Sequence, residues 1–202
     1  MTVFYPEIKK QILTMVTEDQ KMRKEADKTG IWNYDIDKKN TSALKTIIKK
    51  IGFPTIKMVG AKASKGAWLI VQHADKDISF QKIVLKQLRV LYEENPKSIC
   101  NLAIPFLTDR VLVNSHKKQI YGSQLHLLKN GKLVVQPIQN KKQVNTLRIE
   151  WNLPPIEEYL KSAQGYHPHA AITYIRKTMR AIIILTISLI AGRTSAQTAW
   201  EQ

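Results

Sequence analysis

The stretch that most limits how this chain can fold is Ala67-Trp68-Leu69-Ile70-Val71, followed at once by Gln72-His73-Ala74-Asp75-Lys76-Asp77-Ile78-Ser79-Phe80-Gln81. On a helix, Trp68 to Val71 covers every side with large apolar groups, so the segment must be enclosed on all faces. A chain of 202 residues has enough length to enclose it within one domain. The abrupt switch to ionisable and amide side chains after Val71 puts core and polar chemistry side by side. A functional site is therefore expected to start here.

Helical periodicity recurs on both sides of this stretch. Residues 6–27 place Ile8, Ile12, Met15, Val16 and Met22 near helical spacing, with Lys9, Lys10, Glu18, Lys21, Lys24 and Glu25 opposite, which predicts a peripheral amphipathic helix. Trp32-Asn33-Tyr34-Asp35-Ile36-Asp37 reads as an irregular link. Asn40 or Thr41 is expected to cap a second helix reaching Ile51, with Leu44, Ile47, Ile48 and Ile51 as its stripe and Gly52 and Pro54 as its stop. Residues 55–59 read as a short extended piece. Further helices are expected over 79–94, over 98–113 with Pro105 kinking it or opening a second short helix, over 141–151 and over 156–163.

Between them the period changes. Asn130-Gly131 lies between two apolar runs, and both residues tolerate the positive φ of a two-residue hairpin turn. That turn would pair Leu128 with Leu133 and His126 with Val135, putting Gln124, His126, Leu128, Leu133 and Val135 on one face. The expected fold is mainly α with a small antiparallel β-hairpin (α+β), in a single compact domain. Its parts are an N-terminal amphipathic helix and linker over 1–39, a core over 40–163, a linker over 164–178 and a hydrophobic tail over 179–202.

In the tail, basic residues precede twelve apolar or small residues, Ala181 to Gly192, and a small-residue site follows at Ala196. Twelve helical residues reach about 18 Å, short of a roughly 30 Å hydrocarbon core, so no spanning helix is expected. The pattern is that of a signal peptide, which makes the tail either a following reading frame joined to this one, outside the native fold, or an amphiphilic anchor or docking helix. The N-terminus has no such pattern, and a cytoplasmic location is expected. The formal charge of +16 is carried by 25 lysines against 7 arginines, spread along the chain. Lysine is a generic solvated charge whereas arginine is the usual bidentate phosphate reader, so an acidic macromolecule is a candidate partner and nucleic acid is not favoured. The lone Cys100 sits among apolar residues and excludes an internal disulfide.

Three clusters carry candidate chemistry. In His73-x-Asp75-x-Asp77, helical residues two apart point about 200° from each other, which separates His73 from Asp75. Residues His73, Asp77 and Gln81 share a face if the helix continues, giving a base with its orienting carboxylate or a divalent-metal pair in His73 and Asp77. Asp75 is left as a cap or a solvent group. Asp109 and Arg110 sit in an apolar frame, where charges need partners. Arg110 suits an anion clamp, and Asp109 a support for a base. Tyr121-Gly122-Ser123-Gln124 supplies Tyr121 and Gln124 as orienting groups, with Arg148 beyond. His167 and His169 stand alone as a weak metal signal. No Gly-rich phosphate loop, Cys-based zinc spacing or Gly-x-Ser-x-Gly elbow is present.

These motifs are similar to those of an uncharacterised bacterial domain family of unknown function. The resemblance runs from Asn40 to Leu160 and rests on Asn40-x3-Leu44-x2-Ile47-Ile48 with Gly52-Phe53-Pro54, on the Ala67–Gln81 stretch, on Leu107-Thr108-Asp109-Arg110-Val111-Leu112-Val113, and on Tyr121-Gly122-Ser123-Gln124, Pro137-Ile138 and Val144-x3-Arg148. Phe53 and Ser123 stand where Trp and Thr are more usual in the family. The resemblance implies no activity, substrate or cofactor. From the residues, the expectation is a small enzyme doing acid–base or hydrolytic chemistry on a small-molecule substrate. Its catalytic groups would be His73, Asp77, Asp109 and Arg110, and its substrate-binding groups Gln81, Tyr121, Gln124 and Arg148, with a divalent metal as candidate cofactor. The alternative is a non-catalytic binding module whose basic surface engages an acidic protein or nucleic acid.

Overall fold

The computed structural model describes residues 3–29, 31–128 and 132–165. In order the elements are α1 (Pro6–Thr29), α2 (Tyr34–Ile51), α3 (Ile56–Val59), α4 (Ala61–His73), α5 (Ile78–Glu94), a 3-10 turn (Pro96–Ser98), α6 (Ala103–Asn114), β1 (Leu125–Leu127), β2 (Leu133–Val135), α7 (Val144–Glu150) and α8 (Ile156–Gly165). The fold is mainly α with one small antiparallel hairpin, in a single compact domain. Helix α4 is its axis: Ala63, Ala67, Trp68, Leu69, Ile70 and Val71 are all buried, and α1, α2, α3, α5 and α6 pack around it. All-round apolarity thus produces the enclosure it predicts.

Helix α1 differs from expectation because it is not peripheral. It lies along α4, and the buried positions Ile12, Met15, Asp19, Met22, Arg23 and Ala26 follow helical spacing. Two of those six are charged, so the apolar stripe alone understates how much of the helix faces inward. A small residue lets the helices approach: a Cβ on Gly66 would stand 2.7 Å from Val16 Cγ2.

Helix α2 starts about two turns earlier than predicted. Asn33 is the cap, its Oδ1 accepting from the Asp35 amide at 3.0 Å, and Asp35 and Asp37 in the first turn favour the positive end of the helix dipole. Asn40 and Thr41 instead lie buried inside the helix, where Asn40 Nδ2 donates to the Met15 carbonyl at 3.2 Å. Residues 55–59 form one helical turn, not an extended piece, closed by Gly60 at φ +82°. Pro105 sits in the first turn of α6, where its missing N–H costs nothing.

The hairpin forms in a different register. Leu125 pairs with Val135, His126 with Val134 and Leu127 with Leu133, and the Leu128 amide donates to the Lys132 carbonyl. Three residues, not two, therefore separate the last bonded pair. A slip by one exchanges the faces: Leu125, Leu127, Leu133 and Val135 now share one face, with Leu125 and Leu133 buried, while His126 is exposed. In the predicted register Leu133 and Val135 would have been grouped with Gln124 and His126, and the observed register removes that mismatch. The Asn130-Gly131 turn itself lies outside the described residues, as do His167, His169, the linker beyond Gly165 and the 179–202 segment. Among the described residues, no helix is long and apolar enough to cross a membrane.

Candidate functional site

Helix α4 ends at His73, and the Ala74–Asp77 loop turns the chain into α5. That end, the cavity-facing stripe of α2 and the start of α6 enclose a cavity of about 730 Å³. Its apolar wall is Leu69, Ala74, Phe106 and Trp32, and its polar wall carries Gln72, His73, Asp75, Arg110, Ser123 and Gln124. The volume suits a small organic ligand.

A chain of ionisable groups runs across three elements. His73 Nδ1 lies 2.9 Å from Asp19 Oδ1, Arg23 Nε donates to the same oxygen at 3.0 Å, and Arg23 Nη2 donates to Asp37 Oδ1 at 2.8 Å. Trp32 Nε1 completes it on Asp37 Oδ2 at 3.2 Å, and the Arg23 guanidinium stands over the Trp32 ring. Burial pushes the Asp19 carboxyl up, but His73 and Arg23 outweigh it and hold the group below the usual carboxylate range. Burial, and then the Arg23 charge, hold the His73 imidazole below its usual value despite Asp19. Asp37 is pushed up by burial, with Arg23 opposing.

An ionised Asp19 only accepts, so a neutral His73 must carry its proton on Nδ1. Nε2 then holds the lone pair, and it has no hydrogen-bond partner among the described residues.

A second network closes the opposite side. Arg110 Nε and Nη2 grip Asp75 at 2.8 and 2.5 Å, and Arg110 Nη1 donates to Gln124 Oε1 at 2.9 Å. Asn114 Nδ2 bridges Asp75 Oδ1 at 2.9 Å and Gln81 Oε1 at 3.2 Å, while Gln81 Nε2 donates to the Val71 carbonyl at 3.1 Å. Burial raises the Asp75 carboxyl, but Arg110 more than compensates and leaves it below its usual range.

Asp77 has a different task. Its Oδ1 accepts from the Phe80 amide at 3.0 Å, capping α5, and Oδ2 meets Lys45. The helix stops at His73, so the spacing that would have aligned Asp77 with it is broken. Asp75 joins the polar network and Asp77 serves as the cap.

Asp109 is buried and accepts from three amides, Ile120 at 2.8 Å, Tyr121 at 3.0 Å and Ser123 at 2.8 Å. Burial pushes its carboxyl up against those three donors. Arg148 is also buried. It donates to the Pro154 carbonyl at 2.6 Å and the Tyr121 carbonyl at 2.7 Å, with its guanidinium over the Tyr159 ring. Gln119 holds the Gln124 backbone from both sides, at 2.8 and 3.0 Å. These residues fix the loop that delivers Ser123 and Gln124 to the cavity. Asp109, Tyr121 and Arg148 do not line it themselves.

Of the residues expected from sequence, His73, Asp77, Arg110 and Gln124 line one cavity, with Gln81 behind Asp75 and Asn114. Asp19, Arg23 and Asp37 were not anticipated. Their one available signal was the Asp19/Arg23 pair four residues apart on a helix, which more often marks a solvated face. Among the described residues, no group of three or more His, Cys, Asp or Glu side chains is arranged to hold a metal ion. The His73 and Asp77 pair is divided, each carboxylate-binding or capping contact having its own partner.

The chain matches the model of a family of unknown function (DUF6624) over residues 6–167, a span that includes α1, and it belongs to that family. No curated protein and no solved structure matches it.

Proposed function

We propose that this member of the family is a small enzyme whose cavity performs acid–base, most simply hydrolytic, chemistry on a small-molecule substrate, with His73 Nε2 as the general base. The observation that carries this reading is the 2.9 Å contact of His73 Nδ1 with the buried Asp19 carboxylate on the wall of a ligand-sized cavity, an arrangement that leaves Nε2 as the proton-accepting nitrogen. Asp19 fixes the tautomer and stabilises the imidazolium that forms on proton transfer, and Arg23 keeps Asp19 ionised. Arg110 and Gln124 line the same cavity and would supply donors to a developing negative charge. Asp77 caps α5, and Asp109, Tyr121 and Arg148 hold the loop behind Gln124.

The test is turnover of a panel of p-nitrophenyl esters and phosphoesters by the wild-type chain and by His73→Gln. A positioned base contributes about 10²- to 10⁴-fold, so the variant should lose turnover on that scale while keeping its fold. Equal rates in the two proteins would sink the reading, and ligand uptake with no turnover would favour a non-catalytic binding module.

A further inference from the structure

The ligand that the cavity would take can be narrowed from its uncommitted groups. Three of its cations already have carboxylate partners: Arg23 with Asp19 and Asp37, Lys45 with Asp77, and Arg110 with Asp75. Lys38 and Lys76 also line the cavity, and neither pairs with a carboxylate among the described residues. Tyr34 and Lys38 are four residues apart, one turn along the exposed edge of α2, and Lys76 Nζ reaches across from the α4–α5 loop to stand 5.5 Å over the Tyr34 ring. The rim thus carries two available ammonium groups, beside a single uncommitted carboxylate on Asp35.

Deeper in, Gln72 lines the same cavity, with its Oε1 fully buried. Between the rim and Gln72 the wall is apolar, with Leu69, Phe106 and the Trp32 ring.

We infer that the cavity binds a small organic anion with an apolar, ring-sized body: its carboxylate or phosphate meets Lys38 and Lys76, and the body lies against Leu69, Phe106 and the Trp32 ring. This rests on the reading of the cavity as a ligand site, and it adds the class of ligand. Both lysines are solvated, so their contribution is a modest, salt-sensitive gain and not a buried clamp.

The experiment is calorimetric titration of the full chain at low ionic strength with N-benzoylglycine, phenyl phosphate and the uncharged N-benzoylglycinamide, the first two distinguishing carboxylate from phosphate. At least one anion should bind about tenfold tighter than the neutral amide. Lys38→Ala with Lys76→Ala should remove that tenfold preference and leave binding of the amide unchanged. Equal affinity for charged and neutral ligands, an anion preference that survives the double substitution, or no binding of either anion at about 10 mM would overturn the inference.

Repeating the titration with His73→Gln separates the two claims. Anion binding that persists in His73→Gln shows that the ligand class does not depend on the base, and anion binding by a wild-type chain that turns over none of the panel leaves this inference standing and removes the catalytic reading. Turnover that depends on His73 but is indifferent to substrate charge does the reverse.

Discussion

His73 and Asp19 meet at 2.9 Å although 54 residues separate them in the chain, joining the last turn of α4 to the middle of α1. The contact does two things at once. It fixes which imidazole nitrogen carries the proton, and it adds a donor to a carboxylate already paired with the Arg23 guanidinium.

Asp19→Asn should therefore cost stability as well as chemistry. Removing one member of a buried ion network destabilises by about 3–5 kcal/mol, because Arg23 keeps its charge with only Asp37 to meet it. Urea unfolding measures this, and a loss under about 1 kcal/mol would mean that Arg23 is far better solvated than its 7% side-chain exposure indicates.

His73 also gives a pH signature. Its folded-state affinity for a proton is depressed, so the unfolded chain takes up a proton near the ordinary value of 6.5 while the folded protein does not. The stability that it contributes is full above about pH 6.5 and is lost as pH falls from there toward the folded value. Asp37, raised by burial, pulls the opposite way. The expected observable is thus a difference: His73→Gln should flatten the acid-side decline of the melting temperature relative to wild type. Parallel curves would contradict the assignment. Nitrogen chemical shifts of the ring should report the Nδ1–H tautomer at pH 7.

Asp109→Ala would orphan three amides at once. With about 1–3 kcal/mol per unsatisfied buried donor, partly relieved by water, a loss of about 3 kcal/mol or more is expected. Amide exchange at residues 120–124 should accelerate before the rest of the fold. Uniform protection in the variant would show that the carboxylate does not organise this loop.

Asp77 separates capping from chemistry. Asp77→Asn keeps a capable cap and should leave stability within a few tenths of a kcal/mol, whereas Asp77→Ala should cost about 1 kcal/mol. Neither should change turnover that depends on His73. A large activity loss in Asp77→Asn would restore this residue to the reacting centre.

Most of the helical fold could be read from spacing, because the buried stripes of α2, α4 and α5 are apolar and follow the helical period. The N-terminal half of the site could not. Asp19 and Arg23 occupy the inward stripe of α1, where charge ordinarily signals water, and their mutual pairing together with the tertiary partners Asp37 and His73 makes their burial tolerable. The roles of Asp75 and Asp77 turned on where α4 stops. The last turn ends at Ala74 without a glycine to announce it, so a continuous face from His73 to Gln81 was the natural reading. The hairpin register depended on whether two or three residues form the loop, and the apolar pattern of Leu125, Leu127, Leu133 and Val135 selects the longer one.

The single hydrogen that Gly66 presents to Val16 sets a working distance elsewhere in the molecule. Gly66 lies two turns before His73 on α4, and Val16 lies one turn before Asp19 on α1, so the helix spacing at this contact carries over to the His73–Asp19 pair. A methyl group at position 66 would meet a stiff, β-branched neighbour and lever α1 outward. Gly66→Ala would then act as a spacer, stretching the buried polar pair from a distance while leaving every polar side chain of the cavity in the sequence. The gap between two helices, and with it the geometry of that pair, is in this sense set by a residue with no functional group.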